Sequence, residues 1–235
     1  MSKPQDGFVS RFLNRPISRR ITALLLKFPI RPNGWTLSIF VLPLIAGAFL
    51  VRGDYVSVVI GAAIFQVLSI LDGCDGEIAR AKNLESKFGE RLDYFCDFAA
   101  SLVYVLALGL GLHRSSEGIV CAVLITANEL FLRVNRSKMA VASSPLNDSF
   151  YARHHAMIGH SGLLKLGERS VWWLFQLTKR DMAILVFLML ALLDLADWIL
   201  NLWTMVAGAS LLVSAIAVVK AINDGGNVVT REPPP

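Results

Sequence analysis

The chain has 235 residues, of which 54% are hydrophobic and 17% charged, and it carries a formal net charge of +5. Soluble domains carry about 25% charged residues, so this composition excludes a soluble globular domain and predicts an all-α protein that crosses a membrane several times. Three cysteines, Cys74, Cys96 and Cys121, lie in or beside hydrophobic segments, and an odd number so placed excludes a disulfide framework. They read as small apolar filler, the alternative being a thiolate metal site at Cys74 and Cys96.

The first segment, Met1–Arg31, holds seven basic residues, Lys3, Arg11, Arg15, Arg19, Arg20, Lys27 and Arg31, and no uninterrupted apolar run. That pattern argues against a cleavable signal peptide. Phe8, Phe12, Ile17, Ile21, Leu24, Leu25 and Phe28 recur at helical spacing with arginines between them. They predict an amphipathic helix lying on the inner leaflet, broken or kinked at Pro16. Residues 1–34 are therefore assigned to a cytoplasmic interfacial segment.

A spanning helix needs about 20 mostly apolar residues. Six stretches qualify: Trp35–Val51, Tyr55–Leu71, Asp93–Leu112, Gly118–Leu132, Met182–Leu195 and Trp198–Ala221. The second is expected to continue to Arg80, the third to begin near Gly89 and the fourth to extend to Arg136. Residues 35–222 thus form a six-helix transmembrane domain, and 223–235, ending in the Pro-rich Thr230–Pro235, a disordered tail. No internal repeat of fixed period is present.

The distribution of Lys and Arg orients these spans. With the N-terminus in the cytoplasm, the inside segments hold the basic residues of the first segment, then Arg80, Lys82, Lys87 and Arg91. The loop after the fourth span adds Arg133, Arg136, Lys138, Arg153, Lys165, Arg169, Lys179 and Arg180, and the C-terminus Lys220 and Arg231. Arg52 and Arg114 fall outside. The asymmetry predicts both termini in the cytoplasm. In the long loop Ser137–Asp181, Trp172, Trp173 and Phe175 beside Lys179 and Arg180 read as an interfacial anchor. His154, His155 and His160, without partner acids, read as surface residues rather than zinc ligands.

Against this apolar background Asp72, Asp75, Asp93 and Asp97 crowd into one short stretch at the cytoplasmic ends of the second and third spans. A charged side chain at the bilayer centre costs roughly 2.5–3.5 kcal/mol on insertion scales, and four nearby acids repel one another, so a cation must compensate them. Asp72 and Asp75 are i, i+3 and Asp93 and Asp97 are i, i+4, so each pair shares one helix face. Two antiparallel neighbours would present up to eight carboxylate oxygens. Hard oxygen ligands without histidine or thiolate select Mg²⁺, Mn²⁺ or Ca²⁺ over zinc. Gly76 and Gly89 permit close approach of backbone or ligand, Ala79 is small, and Arg80 suits phosphate oxygens or serves as counter-ion to the acids. The alternative is a cation transporter using intramembrane acids, for which Glu129 and Asp194 are the nearest residues that could continue a path.

Asp72, Asp75, Gly76, Ala79, Arg80, Gly89, Asp93 and Asp97 together resemble the signature of the CDP-alcohol phosphotransferase family in every position and spacing. Pro32-Asn33 before the first span and Thr36 after them look like the approach to that helix in the family. The resemblance implies a transferase. The hydroxyl of a second alcohol attacks a CDP-alcohol at phosphorus, and CMP leaves. It also implies a homodimer with a membrane-embedded, cytoplasm-facing site and two divalent ions, Mg²⁺ or Mn²⁺. Carried over by position, Asp72, Asp75, Asp93 and Asp97 bind metal and Asp97 is the general base. Gly76, Ala79, Arg80, Gly89 and Asn33 border the nucleotide and its pyrophosphate. The expected partners are the CDP-alcohol donor, the alcohol acceptor, the lipid bilayer and a second copy of the chain, with no nucleic acid.

On the acceptor side, Arg133 and Arg136 are i, i+3 near the end of the fourth span. With Arg153 or Arg180 they could hold an acceptor phosphate, as in inositol phosphate or glycerol phosphate, or contact lipid headgroups. Asp6-Gly7-Phe8-Val9-Ser10-Arg11, Asn14-Arg15 and Ser18-Arg19 resemble the family members that use inositol phosphate. A phospholipid synthase using CDP-diacylglycerol or an archaeal analogue remains open beside that reading.

Overall fold

The structure is a computed structural model and describes residues 7–135 and 179–223. Arg136, Arg153, the three loop histidines, Trp172, Trp173, Phe175 and the Pro-rich tail lie outside the described residues. Within them the secondary structure is helical and no strand occurs. A π-helical turn, Ser10–Asn14, leads into α1 (Arg15–Leu25). It is followed by α2 (Pro32–Ile39), α3 (Val41–Leu50), α4 (Tyr55–Ala81), α5 (Lys87–Gly111), α6 (Ser115–Val134), α7 (Arg180–Leu192) and α8 (Asp197–Asn223).

The expected break at Pro16 is a change of helical register and not an end. Arg15 N–H donates to the carbonyl of Ser10 across the π turn, and Pro16 sits in the first turn of α1. A proline inside an α-helix clashes with the carbonyl four residues back; one wider turn relieves that clash. The face that this segment packs is its polar one. Asn14, Ser18 and Thr22 are buried, whereas Phe8, Phe12, Ile17, Leu24 and Phe28 are exposed, Phe12 by 65%. Such an inside-out helix suits a lipid surface. Asn14 Nδ2 donates to Ser69 Oγ at 3.0 Å and Gln66 Nε2 donates to Asn14 Oδ1 at 3.2 Å, which fixes the segment along α4.

Helices begin and end where local chemistry directs. Asp54 caps α4 by accepting from Ser57 N–H at 3.0 Å, and Ser86 caps α5 by accepting from Gly89 N–H at 3.0 Å. Helices α4, α5 and α7 each close with a left-handed residue, Asn83 (φ 53°), His113 (φ 57°) and Asp194 (φ 58°). In each case the next N–H reaches back to the carbonyl five residues earlier at 2.8 Å, Leu84 to Ala79, Arg114 to Gly109 and Leu195 to Leu190. This is the Schellman ending, built here without glycine.

Among the described residues, four segments are long and apolar enough to cross a membrane: Pro32–Leu50, Tyr55–Ala81, Lys87–Gly111 and Asp197–Ile216. The remaining expected stretches are helical too. However, α6 carries Glu117, Glu129 and Arg133, and α7 has 13 residues, about 20 Å at 1.5 Å per residue against a hydrocarbon core of about 30 Å.

The described chain divides into two compact units, 7–122 with 179–202, and 123–135 with 203–223. In the first, α4 and α5 face each other through their side chains, as expected, and their aspartates meet. The α2–α3 segment packs against both of them. Deeper in, large side chains join the helices: the Phe65 and Tyr104 rings meet edge to face at 4.5 Å, and Phe187 of α7 stands 5.9 Å from Tyr104. At the turn before α4 the backbone of Gly53 (φ 72°) touches that of Gly111, so close that a Cβ on Gly53 would lie 1.9 Å from the Gly111 carbonyl oxygen. In the second unit, Asn128 of α6 donates to Ser210 Oγ at 3.2 Å and accepts from Ser214 Oγ at 3.1 Å.

Candidate metal and phosphate site

Asp72 and Asp75 stand on the C-terminal half of α4, and Asp93 and Asp97 on the N-terminal half of α5. Asp72, Asp93 and Asp97 converge, one carboxylate oxygen of each lying within 4.8 Å of the others. Asp75 is buried beside them and turned toward α2. Its Oδ2 accepts from Thr36 Oγ1 at 2.8 Å, and its Oδ1 accepts from the Gly76 N–H. The structure thus brings three of the four acids to one point and anchors the fourth.

Buried polar atoms without partners are costly, and Asp93 Oδ1 is such an atom among the described residues. Three converging carboxylates, one carrying a buried unsatisfied oxygen and none accompanied by histidine or thiolate, fit a hard divalent cation. All three cysteines are free and buried, and none belongs to the converging group, in keeping with their reading as filler.

Among the described residues, one cation reaches the cluster. Arg180, the first residue of α7, forms an ion pair through Nη1 with Asp97 Oδ1. Its second amino group, Nη2, is buried without a hydrogen-bond partner among the described residues.

The glycines admit side chains of the protein itself. A Cβ on Gly76 would lie 3.2 Å from Arg80 Nη1, and one on Gly89 would lie 2.9 Å from Asn33 Oδ1. Arg80 therefore folds back along α4 over Gly76, and Asn33 at the start of α2 rests against α5. Ala79 precedes Arg80 in the chain, and Gly89, where Asn33 rests, lies one turn before Asp93.

Sequence reasoning missed Glu77. Its Oε1 accepts from Arg15 Nη1 at 3.3 Å and Ser18 Oγ at 3.0 Å, and its Oε2 from Thr22 Oγ1 at 2.8 Å. Asn14, Ser18 and Thr22 at intervals of four formed a polar stripe that could have announced a buried acid opposite. The hydrogen bond of Thr36 to Asp75 had no signal of its own, since the two are distant in sequence. Arg133 Nε lies 3.6 Å from Glu129 Oε1 within the second unit.

Residues 30–206 match the description of the CDP-alcohol phosphatidyltransferase family. Within that stretch and its surroundings the chain is similar to proteins named "Bifunctional IPC transferase and DIPP synthase". It is 39% identical over 105 residues to the one from Archaeoglobus fulgidus, 45% of this chain and 20% of that protein. Against the Aquifex aeolicus protein it is 40% identical over 111 residues, 47% of this chain and 24% of that protein. The Thermococcus kodakarensis protein is 41% identical over 105 residues, 42% and 23% of the two chains. The match thus spans a fifth to a quarter of the length of these relatives.

Proposed function

We propose, from the premise that the chain belongs to the CDP-alcohol phosphatidyltransferase family, that it transfers a phospho-alcohol group from a CDP-alcohol to the hydroxyl of a second alcohol. The observation that carries this reading is the convergence of Asp72, Asp93 and Asp97, one carboxylate oxygen of each lying within 4.8 Å of the others. The names of the relatives favour an inositol phosphate acceptor, with glycerol phosphate as the competing one.

In this reading the acceptor oxygen forms a bond to the phosphorus that carries the donor alcohol. The bond from that phosphorus to the CMP phosphate oxygen breaks, CMP leaves, and the acceptor proton passes to Asp97. Asp97 is suited to this role because its ion pair with Arg180 holds the carboxylate in place beside Asp72 and Asp93. Asp72, Asp75, Asp93 and Asp97 would hold the divalent ions, Mg²⁺ or Mn²⁺ and two in number, whose bound charge would neutralise that of the pyrophosphate. Thr36 keeps Asp75 aimed by its hydrogen bond. Gly76 and Gly89 leave room for Arg80 and Asn33, which border the nucleotide and pyrophosphate with Ala79. Arg180 has a second amino group left for an acceptor phosphate, and Arg133, Arg136 and Arg153 are the further candidates.

The chain spans the membrane six times with both termini and the site in the cytoplasm, as the Lys and Arg distribution supports. It works as a homodimer, residues 1–34 forming the interfacial segment, 35–222 the catalytic domain and 223–235 a tail. Radiolabel transfer in detergent, with a panel of CDP-alcohols against inositol phosphate, glycerol phosphate and other alcohols, tests the reaction. Metal-dependent CMP release with one pairing supports it. Absence of CMP release with every donor, or ion flux into liposomes without nucleotide, overturns it in favour of a transporter.

A further inference from the structure

Between α1 and α4 lies a cavity of about 430 Å³ whose lining includes Arg15, Arg19, Thr22, Leu26, Glu77 and Arg80. Three guanidinium groups face one carboxylate. Glu77 is already engaged by Arg15, Ser18 and Thr22, so it balances one of the three charges. The side chains of Arg19 and Arg80 have neither hydrogen bond nor ion pair among the described residues. The cavity therefore carries two uncompensated positive charges. Part of that arrangement is built in: Arg80 lies over Gly76 where no Cβ intervenes, and Arg15 lies over Gly73, whose Cβ would be 3.0 Å from Arg15 Nη1.

We propose that this cavity is a second anion site, which takes the phosphate of an anionic phospholipid headgroup. Guanidinium forks match phosphate oxygens two at a time, and the volume is that of a small-ligand pocket. A phosphate ester could reach it from the membrane or from solution. The membrane source is favoured because α1, which forms one wall, exposes Ile17 and Leu24 on its other face. A helix so built lies at the headgroup boundary, so the arginines stand at the depth of lipid phosphates. The site shares Arg80 with the nucleotide side of the proposed active site and differs from the aspartate cluster in the sign of its charge. It does not rest on the transferase reading.

Native mass spectrometry of the full chain in neutral detergent tests it, with phosphatidylglycerol, phosphatidylcholine and inorganic phosphate as separate probes. The expected result is saturable binding of phosphatidylglycerol that is at least tenfold tighter than that of phosphatidylcholine. Arg19→Gln should weaken it about tenfold while leaving the thermal midpoint of the lipid-free protein unchanged. Ala23→Phe, which fills the cavity from an exposed wall residue, should weaken it independently. Equal affinity for the two lipids, or phosphatidylglycerol binding unaffected by both variants, would overturn the proposal. Inorganic phosphate binding at Arg19 as tightly as phosphatidylglycerol would overturn the lipid source.

Discussion

Arg180 forms an ion pair with Asp97, tying the first turn of α7 to the acid of α5 assigned as general base. The next residue, Asp181, accepts from the Ser10 N–H at 2.6 Å. Two consecutive residues of α7 thus hold the site on one side and the start of the interfacial segment on the other. The acid cluster and the amphipathic helix are therefore parts of one packed unit.

Asp97→Asn removes the proton acceptor while keeping shape and most hydrogen bonding. General-base catalysis contributes about 10²–10⁴-fold, so CMP release should fall by that order while Mn²⁺ and CDP-alcohol still bind. Turnover like that of the wild type would remove the base assignment.

Thr36→Val leaves Asp75 Oδ2 buried without its donor. An unsatisfied buried acceptor costs about 1–3 kcal/mol, to be read as a lower thermal midpoint in detergent. Thr36→Ser should restore most of it, since the hydroxyl remains. An unchanged midpoint in the valine variant would mean that the bond contributes nothing.

Glu77→Ala deprives Arg15, Ser18 and Thr22 of their shared acceptor. Hydrogen exchange across 15–25 should rise by at least tenfold, consistent with a loss of about 1–3 kcal/mol for a partly buried charged acceptor. Protection equal to wild type would show that packing of Asn14 alone holds the helix.

Gly53→Ala and Gly111→Ala each place a methyl group about 2 Å from a backbone oxygen, which no side-chain movement relieves. Neither variant should yield folded protein. Gly34→Ala, with nothing within 4 Å of its added carbon, is the control and should fold normally. Folded Gly111→Ala protein would refute the close approach.

Orientation is checked by membrane-impermeant thiol labelling, for which the native cysteines, all buried, give a quiet background. Lys87→Cys should label from the cytoplasmic side and Arg52→Cys from the other. The reverse pattern would sink the assigned topology.

The sequence by itself determined the helical, membrane-embedded class, the placement of the described helices to within a few residues, and the family. These follow from hydropathy and from the 3.6-residue period, both of which are local. It also flagged Gly76 and Gly89 as points of close approach. The tertiary structure decided what approaches them, Arg80 and Asn33. It also decided that α2–α3 packs against both α4 and α5, that Asp75 turns to Thr36 while the other three aspartates converge, and that the polar stripe of α1 packs inward on Glu77. Those outcomes depend on which helices become neighbours. Neighbours are chosen by the burial of side chains far apart in the chain, and no local period records that choice.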